Sequence, residues 1–98
     1  MLTIDRVRSV ELISSDIQVV RIDASGRKGL LRFTHDVTIT MVDDKFDHAD
    51  VLCPGGWIIF TNDKDDVDDF EQTYPDAINI AKKAIEDARN KLMEDLYS

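Results

Sequence analysis

The sequence predicts an α+β fold in which an antiparallel β-meander of five or six strands is followed by one long C-terminal amphipathic helix packed on the sheet. Residues 36–42 alternate apolar and polar side chains, as a strand with one buried face does. Beyond Pro75 the apolar residues recur every three or four positions, which indicates a helix. A length of 98 residues allows one such domain. We expect the sheet in 1–62, an acidic connector in 63–74 and the helix in 75–97.

The first three strands are predicted from β-branched segments separated by turn residues. Residues 7–13 and 17–23 flank a Ser-Ser-Asp turn. The loop 24–29 holds two glycines and a basic pair, which is typical of a hairpin turn of more than two residues. The third strand is expected in 30–35.

The second half of the sheet is less regular. Asp36 marks either a bend between two strands or a kink in one long strand. Residues 43–50 are predicted to form a polar loop because most of their side chains are charged. A Pro-Gly-Gly turn then separates the strands predicted at 51–53 and 57–60.

The C-terminal helix raises the question of what its end packs against. Pro75 suits the first helical position, and Asp76 suits the positive first turn. The predicted helix is roughly 35 Å long, whereas a domain of this size is only about 30–35 Å across. Either the helix crosses the sheet diagonally or its last turns contact a second copy in a homodimer or higher oligomer. The side chains available for that contact are Leu92, Met93, Leu96 and Tyr97.

Negative charge is concentrated in the middle of the chain. The formal net charge is −8, and residues 43–76 hold eleven acids against two lysines, which gives −9. Such a surface repels phosphate backbones and attracts basic surfaces, so direct nucleic-acid binding is disfavoured and a basic protein is the expected partner. The predicted partner-binding residues are Asp43, Asp44, Asp63, Asp65, Asp66, Asp68, Asp69 and Glu71.

A second candidate site is basic. Arg27 and Lys28 stand in the predicted hairpin loop with two glycines, and Arg32 follows in the next strand. Exposed backbone amides and these cations are suited to a phosphate-bearing ligand. The same residues also fit an ordinary hairpin loop, so both interpretations stay open at this point.

Catalytic, metal and membrane signals are weak. Counted from Asp63, the acidic run places Val67 and Tyr74 where a calcium-binding EF-hand needs an acid and a Glu, so the pattern fails. No catalytic residue, metal ligand or cofactor is predicted. His35 and His48 are expected at the surface and Cys53 in the core. With no long apolar run and no signal peptide pattern, we expect no membrane association and a cytoplasmic protein.

One segment resembles a known group of proteins. Small uncharacterised phage and prophage proteins carry a Pro-Gly-x-Trp-Ile-Ile strand start followed by Phe-x-x-x-Tyr. The matching residues are Pro54, Gly55, Trp57, Ile58, Ile59, Phe70 and Tyr74. The resemblance covers about 24 of the 98 residues. It implies a phage-type accessory protein, a class that often inhibits host machinery.

The same segment has a physical interpretation of its own. Trp57 and Ile59 face one way on a strand, and Phe70 and Tyr74, one helical turn apart, are predicted to cover them. This arrangement predicts part of the core, with a ligand-stacking role for Trp57 as the alternative.

Three functions are therefore expected. The first is a non-enzymatic inhibitor or adaptor, phage-derived, whose electronegative face binds a basic, nucleic-acid-handling host protein such as a defence-system component. The second is an oligomeric sponge that sequesters a small anionic nucleotide through Arg27, Lys28 and Arg32. The third is a virion or assembly accessory protein.

Overall fold

Five strands form one antiparallel sheet in the order of the chain. The computed structural model describes residues 2–97. The two ends of the predicted domain, Met1 and Ser98, lie outside the described residues. The strands are β1 (Thr3–Leu12), β2 (Ile17–Lys28), β3 (Leu31–Val42), β4 (Lys45–Cys53) and β5 (Gly56–Phe60). Each strand pairs with the next one along the chain. The predicted α+β meander is confirmed, with five strands.

Two predicted loops are largely strand. Residues 43–50 were expected to form a polar loop, but only Asp43 and Asp44 form the turn, with φ of 52° and 63°. Both angles lie in the left-handed region that a tight two-residue hairpin turn uses. Residues 24–29 likewise continue β2 as far as Lys28, and β3 runs through Asp36 as one strand.

Two helices follow the sheet, where one was predicted. The segment 63–74, expected to be a connector, contains the helix α1 (Lys64–Thr73), and α2 spans Ala77–Tyr97. Asp is a poor helix former, and α1 is stabilised by burying Phe70 completely and Val67 in part. Asp76 has a φ of 68°, which separates the helices and starts α2 two residues later than predicted.

The core lies between one face of the sheet and the two helices. The central strands bury Val20, Ile22, Ile39 and Val51 on that face. Beneath α1 lies an aromatic cluster, with ring centroids of neighbouring rings 5.2 to 6.2 Å apart. The aromatic cluster consists of Phe46, Phe60, Phe70 and Tyr74. Neither helix covers the other face of the sheet, which we call the open face.

The last turns of α2 extend past the sheet. Arg89 contacts Asp44 in the β3–β4 turn at 3.2 Å and the backbone carbonyl of Ser15 in the β1–β2 turn at 3.5 Å. These turns mark the end of the sheet, and residues 90–97 beyond them are exposed. The molecule accordingly measures 50 × 30 × 20 Å, longer than the size expected for a compact domain of this length. The helix end therefore does not lie across its own sheet.

Candidate protein-binding surface

The first turn of α1 is fixed to the end of β5. Asp66 accepts hydrogen bonds from the backbone N–H and the hydroxyl of Thr61, both at 2.8 Å. These bonds hold the pKa of Asp66 below its usual value, because they stabilise the carboxylate. Asp66, half-buried, is therefore a structural residue that joins α1 to the strand before it.

Packing of α1 on the core directs its other carboxylates to solvent. Phe70 and Val67 define the inner side of the helix. At 100° per residue Asp65, Asp68 and Asp69 fall on the opposite side, whereas Asp63 and Glu71 flank the inner side, and all five are exposed. The exposed acids share one further property: within residues 2–97 they form no ion pair with a basic side chain. We call this set the acidic face: Asp63, Asp65, Asp68, Asp69 and Glu71.

The other two predicted partner-binding acids lie elsewhere. Asp43 and Asp44 form the β3–β4 turn, and Asp44 is paired with Arg89 of α2 at 3.2 Å. The predicted continuous electronegative segment 43–76 is thus divided, because β4 and β5 stand between its two ends. Within β4, Asp47 and Asp50 lie 2.7 and 3.6 Å from the ring nitrogens of His48.

Acids on the open face are neutralised by arginines of the same chain. Arg6 and Arg8 on β1 each lie 2.6 Å from the carboxylate of Asp23 on β2. Arg8 also lies 3.1 Å from Asp36 on β3. The pKa of Asp23 is lowered, first by the hydrogen bond from Arg6 and further by the one from Arg8. These charges are therefore already satisfied within the protein.

The predicted basic site is a hairpin end. Arg27 and Arg32 are cross-strand partners on β2 and β3, and Lys28 is the last residue of β2. Arg32 contacts Asp5 at 3.4 Å, whereas Arg27 and Lys28 make no ion pair with any residue from 2 to 97. The structure thus brings two arginines together, one of them already paired with an acid.

Trp57 and Ile59 are not in the core, and the prediction that Phe70 and Tyr74 cover them is wrong. Trp57 is 67% exposed and Ile59 64% exposed. Phe60 is the β5 residue that meets Phe70 and Tyr74, because the register places it opposite Ala49 on the core side. Trp57 and Ile59 point to the open face instead. We call the exposed side chains Trp57 and Ile59 the β5 apolar patch, whereas Ile58, opposite the buried Val51, lies on the core side of the strand and is 45% exposed.

One signal in the sequence could have located this patch. In a meander the last strand is always an edge strand, and three consecutive apolar residues on a strand cannot all face the same side of the sheet. At least one of Trp57, Ile58 and Ile59 must therefore be directed away from the core.

The titratable side chains of His35 and Tyr74 contact each other beside the core. His35, predicted at the surface, is half-buried, and its Nδ1 lies 2.8 Å from the hydroxyl of Tyr74. Burial raises the pKa of Tyr74 to about 12, with a smaller contribution from the charge of Cys53, and burial lowers the pKa of His35. Both groups are thus held neutral, and the pair stabilises the fold. Cys53 is half-buried, and its thiol donates to the carbonyl of Gly56 at 3.2 Å.

The predicted dimer contacts of α2 are exposed. Leu92, Met93 and Leu96 lie in the part of the helix beyond the sheet, and Leu96 is 72% exposed. Tyr97 follows them at the end of the helix and is also exposed. These side chains are therefore largely outside the core formed by the sheet and the helices.

Within residues 2–97 no three histidine, cysteine or acidic side chains converge as ligands of one metal ion would. Neither α1 nor α2 is both long and apolar enough to cross a bilayer.

The chain was also compared with known proteins. No protein-family model, no curated protein and no solved structure matches it.

Proposed function

We propose that the protein is a non-enzymatic inhibitor or adaptor that binds a basic surface of another protein through the acidic face of α1. One observation supports this most: the carboxylates of the acidic face are exposed and unpaired among the described residues, whereas those of Asp23 and Asp36 on the sheet are paired with arginines. Burying an unpaired carboxylate costs several kcal/mol. A partner that covers the acidic face must therefore supply cations.

The partner class we favour is a host protein that handles nucleic acid, such as a component of a defence system, bound in the cytoplasm by a phage-derived protein. Surfaces that bind nucleic acid are rich in Lys and Arg. A row of carboxylates on one rigid helix can occupy such a surface in place of phosphates. The protein then acts by competition and needs no catalytic group of its own.

Charge reversal on α1 tests the proposal. In the variant Asp65→Lys, Asp68→Lys, Asp69→Lys, we expect capture of basic nucleic-acid-binding proteins from a bacterial lysate to be lost. In the wild-type protein the captured proteins should elute steeply as salt rises, because exposed charges are screened.

The matched control makes the same change of charge elsewhere. Glu11, Glu86 and Glu94 are also exposed, so the variant Glu11→Lys, Glu86→Lys, Glu94→Lys has the same net charge. It should retain the captured partners. Equal loss in both variants would show that net charge alone attracts the partners, and the role of the acidic face would be rejected.

The alternative function is a sponge for a small anionic nucleotide. It is favoured by the pairing of Arg27 with Arg32 across the β2–β3 hairpin, beside a shallow hollow of about 460 Å³ that includes Ser25 and Gly26. Here the melting temperature should rise with the logarithm of nucleotide concentration. The variant Arg27→Ala, Lys28→Ala should abolish that rise. An unchanged melting temperature in the wild-type protein rejects the sponge.

Self-association through α2 is a separate proposal. The exposed side chains Leu92, Met93 and Leu96 form an apolar stripe at the helix end, which a second copy could bury. Sedimentation velocity should show a homodimer or higher oligomer that the variant Leu92→Glu, Leu96→Glu converts to monomer. A wild-type monomer at high concentration rejects this proposal.

A further inference from the structure

The β5 edge of the sheet is open. β5 pairs with β4 on one side only, and in an antiparallel ladder every second residue directs its N–H and C=O away from its partner strand. Within residues 2–97 no backbone hydrogen bond from outside the sheet reaches β5. The edge therefore offers unpaired donors and acceptors to an additional strand.

The side chains of this edge are those of a pairing surface. The strand Gly56–Phe60 contains no charged residue and no proline, the two features that most often protect an edge. Trp57 and Ile59 project from the open face, with Leu52 of β4 directly beside Trp57. An added strand could therefore cover apolar side chains as well as form backbone hydrogen bonds.

The charge near β5 indicates which kind of added strand the edge would bind. Asp63 and Asp65 lie at the start of α1, and the bonds of Asp66 to Thr61 hold that helix against the C-terminal end of β5. A second copy pairing through β5 brings no basic residue to these carboxylates, because residues 54–63 contain no Lys or Arg. A segment that carries both apolar residues and cations matches the edge and the acidic face together.

We propose that β5 takes up an extended basic segment of the partner protein as a sixth strand of the sheet. This inference rests on the proposed function, since it identifies how and by which part the basic partner binds. Every pair in the sheet is antiparallel, and antiparallel pairing is the more stable per residue. An antiparallel sixth strand begins beside Phe60 and α1. Its Lys and Arg residues therefore precede its alternating apolar residues.

The test uses a defined peptide and the single tryptophan of the protein. Trp57 lies in the strand itself, so its emission reports directly on the edge. The probe is a blocked peptide of sequence Lys-Arg-Lys-Val-Thr-Val-Thr-Val. We expect a saturable blue shift of the Trp57 emission, because pairing removes the indole from water. The peptide with its two halves exchanged should bind about tenfold more weakly, since its cations lie at the wrong end.

N-methylation of the peptide tests the backbone bonds without altering the protein. Two methylated peptides are compared: one carries N-methyl groups on all its valines and the other on all its threonines. Because valine and threonine alternate, the two peptides are methylated on opposite edges of the strand, which we call the two methylation phases. One phase should abolish binding and the other leave it nearly unchanged, because only every second N–H of a strand faces β5. Equal effects of the two phases would overturn the proposal.

Two further measurements separate this inference from the proposed function. If the acidic-face variant loses peptide binding while the two methylation phases act alike, the acidic face binds cations and strand pairing is refuted. The opposite result is that peptide binding depends on the methylation phase but changes neither in the acidic-face variant nor when the peptide halves are exchanged. The edge would then pair with any strand, and a basic partner would be refuted. A concentration-dependent blue shift of the free protein would identify a second copy as the occupant and overturn the proposal.

Discussion

The two edges of the sheet are built in opposite ways. β1 carries four charged residues and two register shifts, one between Ile4 and Arg6 and one between Val7 and Ser9. β5 carries no charge and pairs with β4 without a register shift. Bulges and charges are the means by which natural sheets prevent unwanted strand pairing. The protein thus protects one edge and leaves the other available.

The difference also separates two ways of using charge. At the β1 edge, Arg6 and Arg8 form ion pairs with Asp23 and Asp36 of the same sheet. Beside β5, the carboxylates of α1 face solvent without such pairs in the described part of the chain. The open edge is therefore accompanied by exposed carboxylates, whereas the charges of the β1 edge are neutralised within the protein.

The largest effect is expected at the anchor of the β5 side. Phe70 is fully buried and its ring centroid lies 5.2 Å from those of Phe60 and Tyr74. Phe70→Ala should lower the free energy of unfolding by about 3–5 kcal/mol, because it removes a large buried side chain and leaves a cavity. Urea unfolding measures this. Val67→Ala on the same helix, at a half-buried site, should cost about 1 kcal/mol. Equal losses would show that Phe70 does not anchor α1.

The hydrogen bond between Tyr74 and His35 gives the next effect. Tyr74→Phe leaves Nδ1 of His35 without its partner at 2.8 Å and should cost about 1 kcal/mol. The pKa of Tyr74 is raised from 10.0 to about 12 by burial. A raised pKa favours the neutral form in the folded state, so the stabilisation is complete below the unfolded pKa and is lost as pH rises from 10.0 toward about 12.

The pH dependence separates Tyr74 from other causes of alkaline unfolding. The unfolding free energies of the wild type and Tyr74→Phe should differ near pH 8 and become similar near pH 11. Only the wild type loses stability through this hydroxyl as pH rises. The exposed Tyr97 provides the control, and Tyr97→Phe should follow the wild type. A constant difference across this range would contradict the assignment.

These residues also show how far the sequence predicts the fold. The nearly regular alternation in 36–42 predicted a strand with one buried face, and the stripe from Ile78 to Leu96 predicted α2. The helix α1 was missed because its stability comes from the burial of Phe70, a tertiary contact that local propensity does not report. The start of β4 was missed because nothing in the composition reveals that two aspartates adopt left-handed angles.

The exposure of the candidate surface could be predicted only in part, for a similar reason. A run of acids must lie at the surface, so the exposure of Asp65, Asp68 and Asp69 followed from composition. The internal pairing of Asp44 with Arg89 joins residues 45 positions apart, which sequence spacing cannot indicate. The exposure of Trp57 depends on which strand lies at the edge and on which side its helices pack, and both are properties of the assembled sheet.

A smaller effect on stability is expected when the ion pairs of the β1 edge are removed. Arg8→Ala removes ion pairs to Asp23 and Asp36 and should cost less than about 1 kcal/mol, the range of exposed pairs. The pKa of Asp23, lowered first by Arg6 and also by Arg8, should rise toward its ordinary value. Stability from a lowered carboxyl pKa is present above the unfolded pKa and lost as pH falls through the folded one, so acid unfolding should begin at a higher pH.

A carboxyl titration by NMR checks this result. In Arg27→Ala, which removes an arginine from the far end of the same face, the titration of Asp23 should match the wild type. If Asp23 titrates alike in Arg8→Ala and in the wild type, Arg8 does not contribute to the closed edge.

The smallest effect on stability is expected where the effect on binding is large. Ile59 is already mostly exposed, so Ile59→Lys loses only a fraction of its burial, on the order of 0.5–1 kcal/mol. Its cross-strand partner is Asp50, and an opposite-charge pair across strands returns about 0.2–1 kcal/mol. The two terms nearly cancel, so urea unfolding should be almost unchanged.

A lysine on the edge nevertheless blocks an added strand and repels a basic one, so the blue shift of Trp57 with the peptide should disappear. Thr3→Lys is the control on β1, because Thr3 is exposed and its cross-strand partner Ser25 is uncharged, and it should change neither property. If Ile59→Lys still binds the peptide with wild-type affinity, β5 is not the open edge and the contrast between the two edges is structural only.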